Sequence, residues 1–241
     1  MDNSIYIALS RETALFRNMD MVANNLANVT TTGYQGEKMM FTDYLVDDGN
    51  QRKMAFTQDI SSYIDTKGGP MKETGNPLDA AISGPGYFVI RTPGGERYTK
   101  AGTFLVNNEG QMVTPDGFPV LDEGGQPVEF APEDKTITIG EGGNIKVDGE
   151  ERSTLQVVEF QNPQELEREG NTLFRSKTAP LPAEHSRVLQ GVVEQSNVSP
   201  VQELVEMTKV NRSVSNTAKF VEVMYDLQRK TNQTYAQQSA G

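Results

Sequence analysis

Apolar residues near the start of the chain fall at helical spacing. Phe16, Met19, Ala23 and Leu26 recur alternately three and four apart, the narrow seam by which one helix packs along another. Leu15, Val22 and Val29 flank that seam and widen it. Asn24, Asn25 and Asn28 hold the polar face, where Glu or Lys would be ordinary. Asn is a poor helix former whose amide both donates and accepts, so the cluster points to side chains pinned by partners. Thr30, Thr31 and Thr32 then lower helix propensity, and Gly33 can supply a left-handed stop before Tyr34. The pattern predicts a helix from Met1 to Val29, capped at Asp2 or Asn3, that ends sharply and delivers the chain to a defined place.

Periodicity is lost from Gly33 to about Asp65, where Phe41, Tyr44 and Leu45 are candidate anchors and Asp47–Asn50 reads as a turn. So long a stretch without a pattern predicts a functional arm or a connector packed against something else. From Gly75 the period becomes two. Segments 87–92, 103–106, 118–121, 136–139, 144–147 and 154–160 are short and rich in β-formers. Between them lie turn signals: Gly94-Gly95, Asn108–Gly110, Asp116-Gly117, Glu123–Gly125, Gly142-Gly143 and Asp148-Gly149. This alternation predicts an antiparallel β domain, barrel-like or sandwich-like. Residues 162–181 read as a loop with a short helical attempt at Gln164–Arg168, and Val188–Val193 as a returning strand.

Ser199, Pro200 and Gln202 form a capping box with proline at the first helical position. The helix they open runs to Thr231 or beyond. Leu204, Met207, Val214, Ala218 and Val221 mark its seam, and Phe220, Met224 and Leu227 broaden it. Asn211 interrupts the seam, as a buried Asn does when it fixes register. The expected class is therefore α+β, with an antiparallel β domain inserted between long terminal helices whose seams need each other and further neighbours. The expected divisions are 1–35 for the first helix, 36–74 for the arm, 75–195 for the β domain and 196–241 for the last helix.

Charge and composition narrow the function. The formal net charge is −11 over 241 residues, which argues against nucleic acid, whose phosphates demand a basic face. Residues 1–35 carry −1 (two Arg against Asp2, Glu12 and Asp20) and residues 201–241 carry +1. The acidity thus sits in the middle, which suits ends that pack and a centre that faces water. There is no Cys, which excludes disulfides and thiolate metal sites. No apolar run is long enough to insert into a membrane, and the start lacks a cleavable Sec signal.

Four blocks carry a resemblance. Ala23–Tyr34, ANNLANVTTTGY, resembles the ANNLANxxTxGY/F signature of the flagellar axial proteins, the rod and hook components. Leu78–Phe88, LDAAISGPGYF, resembles the entry to their β domain, and Tyr98–Phe104, YTKAGTF, their YTRxGxF strand pair. Ser196–Met207, SNVSPVQELVEM, resembles the opening of their C-terminal helix. The length and the start MDNSIYIA point, within that family, to the rod proteins that carry one β domain. The resemblance implies a structural subunit of the basal-body rod, exported by the flagellar type III apparatus without a cleaved signal peptide. Its implied partners are copies of itself and other rod proteins of the FlgB, FlgC and FlgG types, with helices pairing in an axial tube. The interaction residues expected on this basis are Leu15, Phe16, Met19, Val22, Ala23, Asn24, Asn25, Leu26, Asn28, Gly33 and Tyr34 at one end. At the other they are Leu204, Met207, Asn211, Val214, Ala218, Val221 and Met224.

An enzyme is a weak competitor. The one histidine, His185, lies in a Pro-flanked loop without a Gly-x-Ser-x-Gly elbow and makes no multi-His metal site alone. The Asp-Gly and Gly-Gly pairs lack EF-hand, Walker or dinucleotide spacing and read as hairpin turns. No catalytic, metal or cofactor residue is expected. A soluble β-binding module with helical oligomerisation ends is the other alternative, and it would form a small closed oligomer rather than an open helical assembly.

Overall fold

The computed structural model describes the backbone of residues 2–47 and 53–238, and side chains chiefly over 8–40 and 62–227. The chain divides into two compact units. One holds residues 1–27, 37–63 and 199–241, and the other holds 28–36 and 64–198.

In the helical unit, α1 (Asp2–Ala27) packs against α2 (Pro200–Gln238). Pro200 stands at the first helical position, and the Ser199 carbonyl accepts the Glu203 N–H at 3.0 Å. β1 (Glu37–Asp47) and β2 (Lys53–Ile64) pair in a two-stranded sheet. Most of the stretch read as patternless is therefore strand. A two-stranded ribbon has no face buried along its whole length, so the alternation that betrays a strand is weak. The side chains of Asp2, Asn3, Phe41, Tyr44 and Leu45, and most of the Asp47–Asn50 turn, lie outside the described residues.

The β unit opens with β3 (Met71–Glu73), β4 (Ala80–Ser83), β5 (Tyr87–Thr92), β6 (Gly95–Thr99), β7 (Leu105–Val106) and β8 (Met112–Val113). β9 (Ile137–Ile139), β10 (Asn144–Val147), β11 (Glu150–Thr154) and β12 (Val157–Glu159) follow. β13 (Glu167–Arg168), β14 (Leu173–Arg175), β15 (Leu181–Pro182), β16 (Arg187–Gln190) and β17 (Val192–Glu194) complete it. The largest sheet runs β13-β14-β6-β5-β12-β15, a second runs β11-β10-β9, and β16-β4, β17-β3 and β7-β8 are antiparallel pairs. The expected helical attempt at 164–168 is a single 3-10 turn, Pro163–Glu165, followed by β13.

Strand β5 organises the interior. Its apolar run Tyr87-Phe88-Val89-Ile90 is buried throughout, and successive side chains point to opposite faces of a strand. Phe88 and Ile90 join a core with Phe104, Met112, Val120, Ile145 and Leu155. Tyr87 and Val89 join another with Tyr98, Phe160 and Phe174, where the rings meet edge to face at 4.8–5.9 Å. The β10–β11 hairpin shows turn chemistry at work: Val147 faces Glu150, and the two residues between, Asp148 and Gly149, have φ of 52° and 94°. That is the type I′ geometry an Asp-Gly pair selects.

Candidate interaction surfaces and the helix anchor

Among the described residues of α1 the buried positions are Ala8, Ala14, Leu15, Asn18, Val22 and Asn25. The stripe that packs in the helical unit is thus centred on Leu15 and Val22, which pattern reading placed at the flank. Met19, Ala23 and Leu26 are half-buried beside it, and Phe16 is exposed. Along α2 the stripe is Glu203, Glu206, Met207, Val210, Ser213, Val214, Thr217, Val221 and Met224, with Val210 the deepest at 3 % exposure. Met207, Val214, Val221 and Met224 keep their expected place. Leu204, Asn211 and Ala218 are exposed within the chain. Polar positions on the true stripe, Glu203 and Glu206 among them, hid its phase.

Asn25 and Asn28 of the asparagine cluster are pinned. Asn25 Oδ1 accepts the Glu37 N–H at 3.0 Å, its Nδ2 donates to Glu37 O at 2.8 Å, and its amide also bonds the Glu203 carboxylate. One side chain thereby replaces a β-ladder partner for the first residue of β1. Burial pushes the Glu203 carboxyl above its usual range against the Asn25 hydrogen bond; Glu206 adds to that rise and Lys38 opposes it. Asn28, in the β unit, is buried and accepts from Thr31 Oγ1 at 3.1 Å. Asn24 is exposed.

The helix does deliver its chain to a defined place. Gly33 has φ +68°, and a Cβ there would stand 2.2 Å from Ala101 N, so no other residue fits. Its N–H donates to Glu194 O at 2.7 Å. Tyr34 and Gln35 are both 2 % exposed. The Arg168 guanidinium stacks on the rings of Tyr34 and Phe174 at 4.7 and 5.0 Å and donates to Gln35 O. Tyr87 O–H donates to Gln35 Oε1 at 3.1 Å, and burial pushes its pKa up to about 12. Lys100 and Glu194 are buried nearby, 3.9 Å apart, with Lys100 Nζ donating to Gly84 O at 2.6 Å and Glu194 Oε1 accepting from Gly69 N at 2.8 Å. Burial lowers the Lys100 pKa and raises that of Glu194. Sequence reasoning found Gly33 and Tyr34 from their motif but missed Gln35, Tyr87, Lys100, Arg168 and Glu194. Arg168 and Glu194 stand far along the chain with no local pattern to mark them.

Chemistry finds little purchase. The His185 side chain is 77 % exposed and its Nδ1 lies 3.3 Å from Glu159 Oε2; Glu159 also accepts from the His185 N–H and Ser186 Oγ, partners that hold its carboxyl low against burial. Among the described residues no group of His, Cys, Asp or Glu could hold a metal ion, and no helix is long and apolar enough to cross a membrane.

A buried glycine-aromatic dock in the β unit, together with a pair of long terminal helices packed on each other in the helical unit, marks a flagellar axial protein. Three family profiles match in chain order: the flagella basal body rod protein over 5–35, the flagellar hook protein FlgE/F/G D1 domain over 81–147, and the flagellar basal body rod FlgEFG protein C-terminal over 189–234. The rod protein FlgF of Caulobacter vibrioides is 36 % identical over 95 % of this chain and 96 % of its own. FlgF of Mesorhizobium japonicum is 34 % identical over 90 % and 91 %, and the rod protein FlgG of Bacillus subtilis 29 % identical over 92 % and 94 %. The chain belongs to the FlgF family of flagellar basal-body rod proteins, a structural and non-enzymatic family.

Proposed function

We propose that the chain is a subunit of the proximal rod, and that its terminal helices pack with copies of itself and with FlgB-, FlgC- and FlgG-type neighbours. In that place it transmits torque from motor to hook and forms part of the wall of the export channel. It reaches the rod through the flagellar type III apparatus. The observation that carries this reading is a second apolar surface on each helix. Leu9 and Phe16 on α1, and Val201, Leu204, Val205, Phe220 and Val223 on α2, are 47–70 % exposed. Such a surface on long helices is costly in water and suits burial against neighbours. The expected interaction residues Phe16 and Leu204 lie on it, whereas Leu15 and Val22 serve the pairing of α1 with α2.

The test is Phe16→Asp with Phe220→Asp. Neither side chain is buried within the chain, so helicity and melting of the purified protein should stay within about 0.5 kcal/mol of wild type. Buried in an assembled rod, each carboxylate would cost several kcal/mol, so cells should lack hooks and not swim. Wild-type swimming and basal-body number would contradict the assignment.

A further inference from the structure

Three of the four covalent passages between the units, at 36/37, 63/64 and 198/199, lie within two residues of one side chain or its partners. Asn197 Oδ1 accepts the Gly36 N–H at 2.7 Å, and Asn197 Nδ2 donates to Asp65 O at 2.7 Å and Lys67 O at 2.8 Å. Its own N–H donates to Tyr34 O at 3.3 Å, and the Asp65 N–H donates to Gly36 O at 2.8 Å. The amide thus uses its oxygen on the segment arriving from α1 and both N–H groups on the segment arriving from β2, while its backbone leads into α2. Around it the same three segments are tied by Gly33 N–H to Glu194 O, Gln195 N–H to Pro70 O, and Gly69 N–H to Glu194 Oε1. Gly69 lies so close that a Cβ would meet Gln195 O at 1.9 Å.

We propose that Asn197 is a positioning residue: the knot that fixes the roots of three of the four passages along which the chain carries force between the units. Its mechanical consequence rests on the rod function proposed above; its local consequence does not. An asparagine is required because it alone combines an acceptor with two donors at this length of side chain. Aspartate keeps the acceptor for Gly36 and loses both donors, and alanine loses all three bonds.

Hydrogen exchange on the purified full chain reads the difference. In N197A the Gly36 and Asp65 amides should exchange about tenfold faster or more. In N197D Gly36 should keep wild-type protection while Asp65 loosens. In both variants Val89 and Leu121, bonded within the β core, should be unchanged. Wild-type protection of Gly36 in N197A would overturn the proposal, as would Val89 and Leu121 loosening together with Gly36, since that is general destabilisation. In cells, N197A should build rods but lose swimming speed in viscous medium by at least about half, and undiminished speed under load would overturn the force-carrying role. Absence of the wild-type chain from isolated basal bodies would instead overturn the rod function and leave the exchange result standing.

Discussion

At the scale of single residues, Gly33, Tyr34 and Gln35 are held tightly within the β unit. The family motif made the first two legible, because a glycine with positive φ before an aromatic is a local pattern. Their partners were not legible. Arg168 and Glu194 reach the dock by tertiary folding, and nothing within a few residues of either distinguishes it from an ordinary surface or strand residue; Tyr87 stands in the motif block 78–88, which marks a strand but not a partner of Gln35. Tyr87 gives the dock a pH signature. Its phenol is buried and holds its proton up to about 12, whereas an unfolded tyrosine ionises near ~10. Between those values the native state binds the extra proton, so stability is full below pH ~10 and falls as pH rises toward 12. The loss reaches about 2–3 kcal/mol once both states have ionised. Absorbance titration should show a tyrosine class ionising near 12, missing in Tyr87→Phe, with urea stability falling over the same window. A Tyr87 that titrates with the exposed tyrosines would show that the dock is open to water.

At the scale of elements, both long helices, the Asp148-Gly149 hairpin and the buried strand β5 followed from periodicity and turn chemistry. The phase of the helix seams did not. Successive helical residues differ by about 100°, so choosing Phe16 rather than Leu15 turns the face outward. Asn18 and Asn25 on the inner stripe encouraged that choice, because a reading of apolar positions alone passes over them. The corrected stripe has a thermal consequence. Among the described residues the helix pair buries few apolar side chains deeply, chiefly Ala14, Leu15, Val22 and Val210, whereas the β unit encloses two cores. Ellipticity at 222 nm should therefore be lost at a lower temperature than the near-ultraviolet tyrosine signal. Val22→Ala removes two buried methyl-sized groups, about 1.5–3 kcal/mol, and should lower the first transition only. A single coincident transition, lowered as a whole by Val22→Ala, would mean that the units fold as one.

At the scale of the molecule, charge, apolar surface and connectivity point the same way. The acidic middle of the chain suits contact with water, the near-neutral ends carry exposed apolar side chains, and both ends fold as helices. Both were legible in the sequence, since net charge and amphipathicity need no tertiary knowledge. The division into units was less so, because residues 28–36 and 64–74 fold with the β unit through contacts to Glu194, Asn197 and Lys100 far away in sequence. The most direct measurement is a density map of basal bodies isolated from motile cells, at a resolution that distinguishes side chains. A rod subunit of the kind proposed gives density for α1 and α2 in the rod wall, with Phe16 and Phe220 buried against neighbouring subunits. A complete rod accounted for by other chains, with no density for this one, would contradict it.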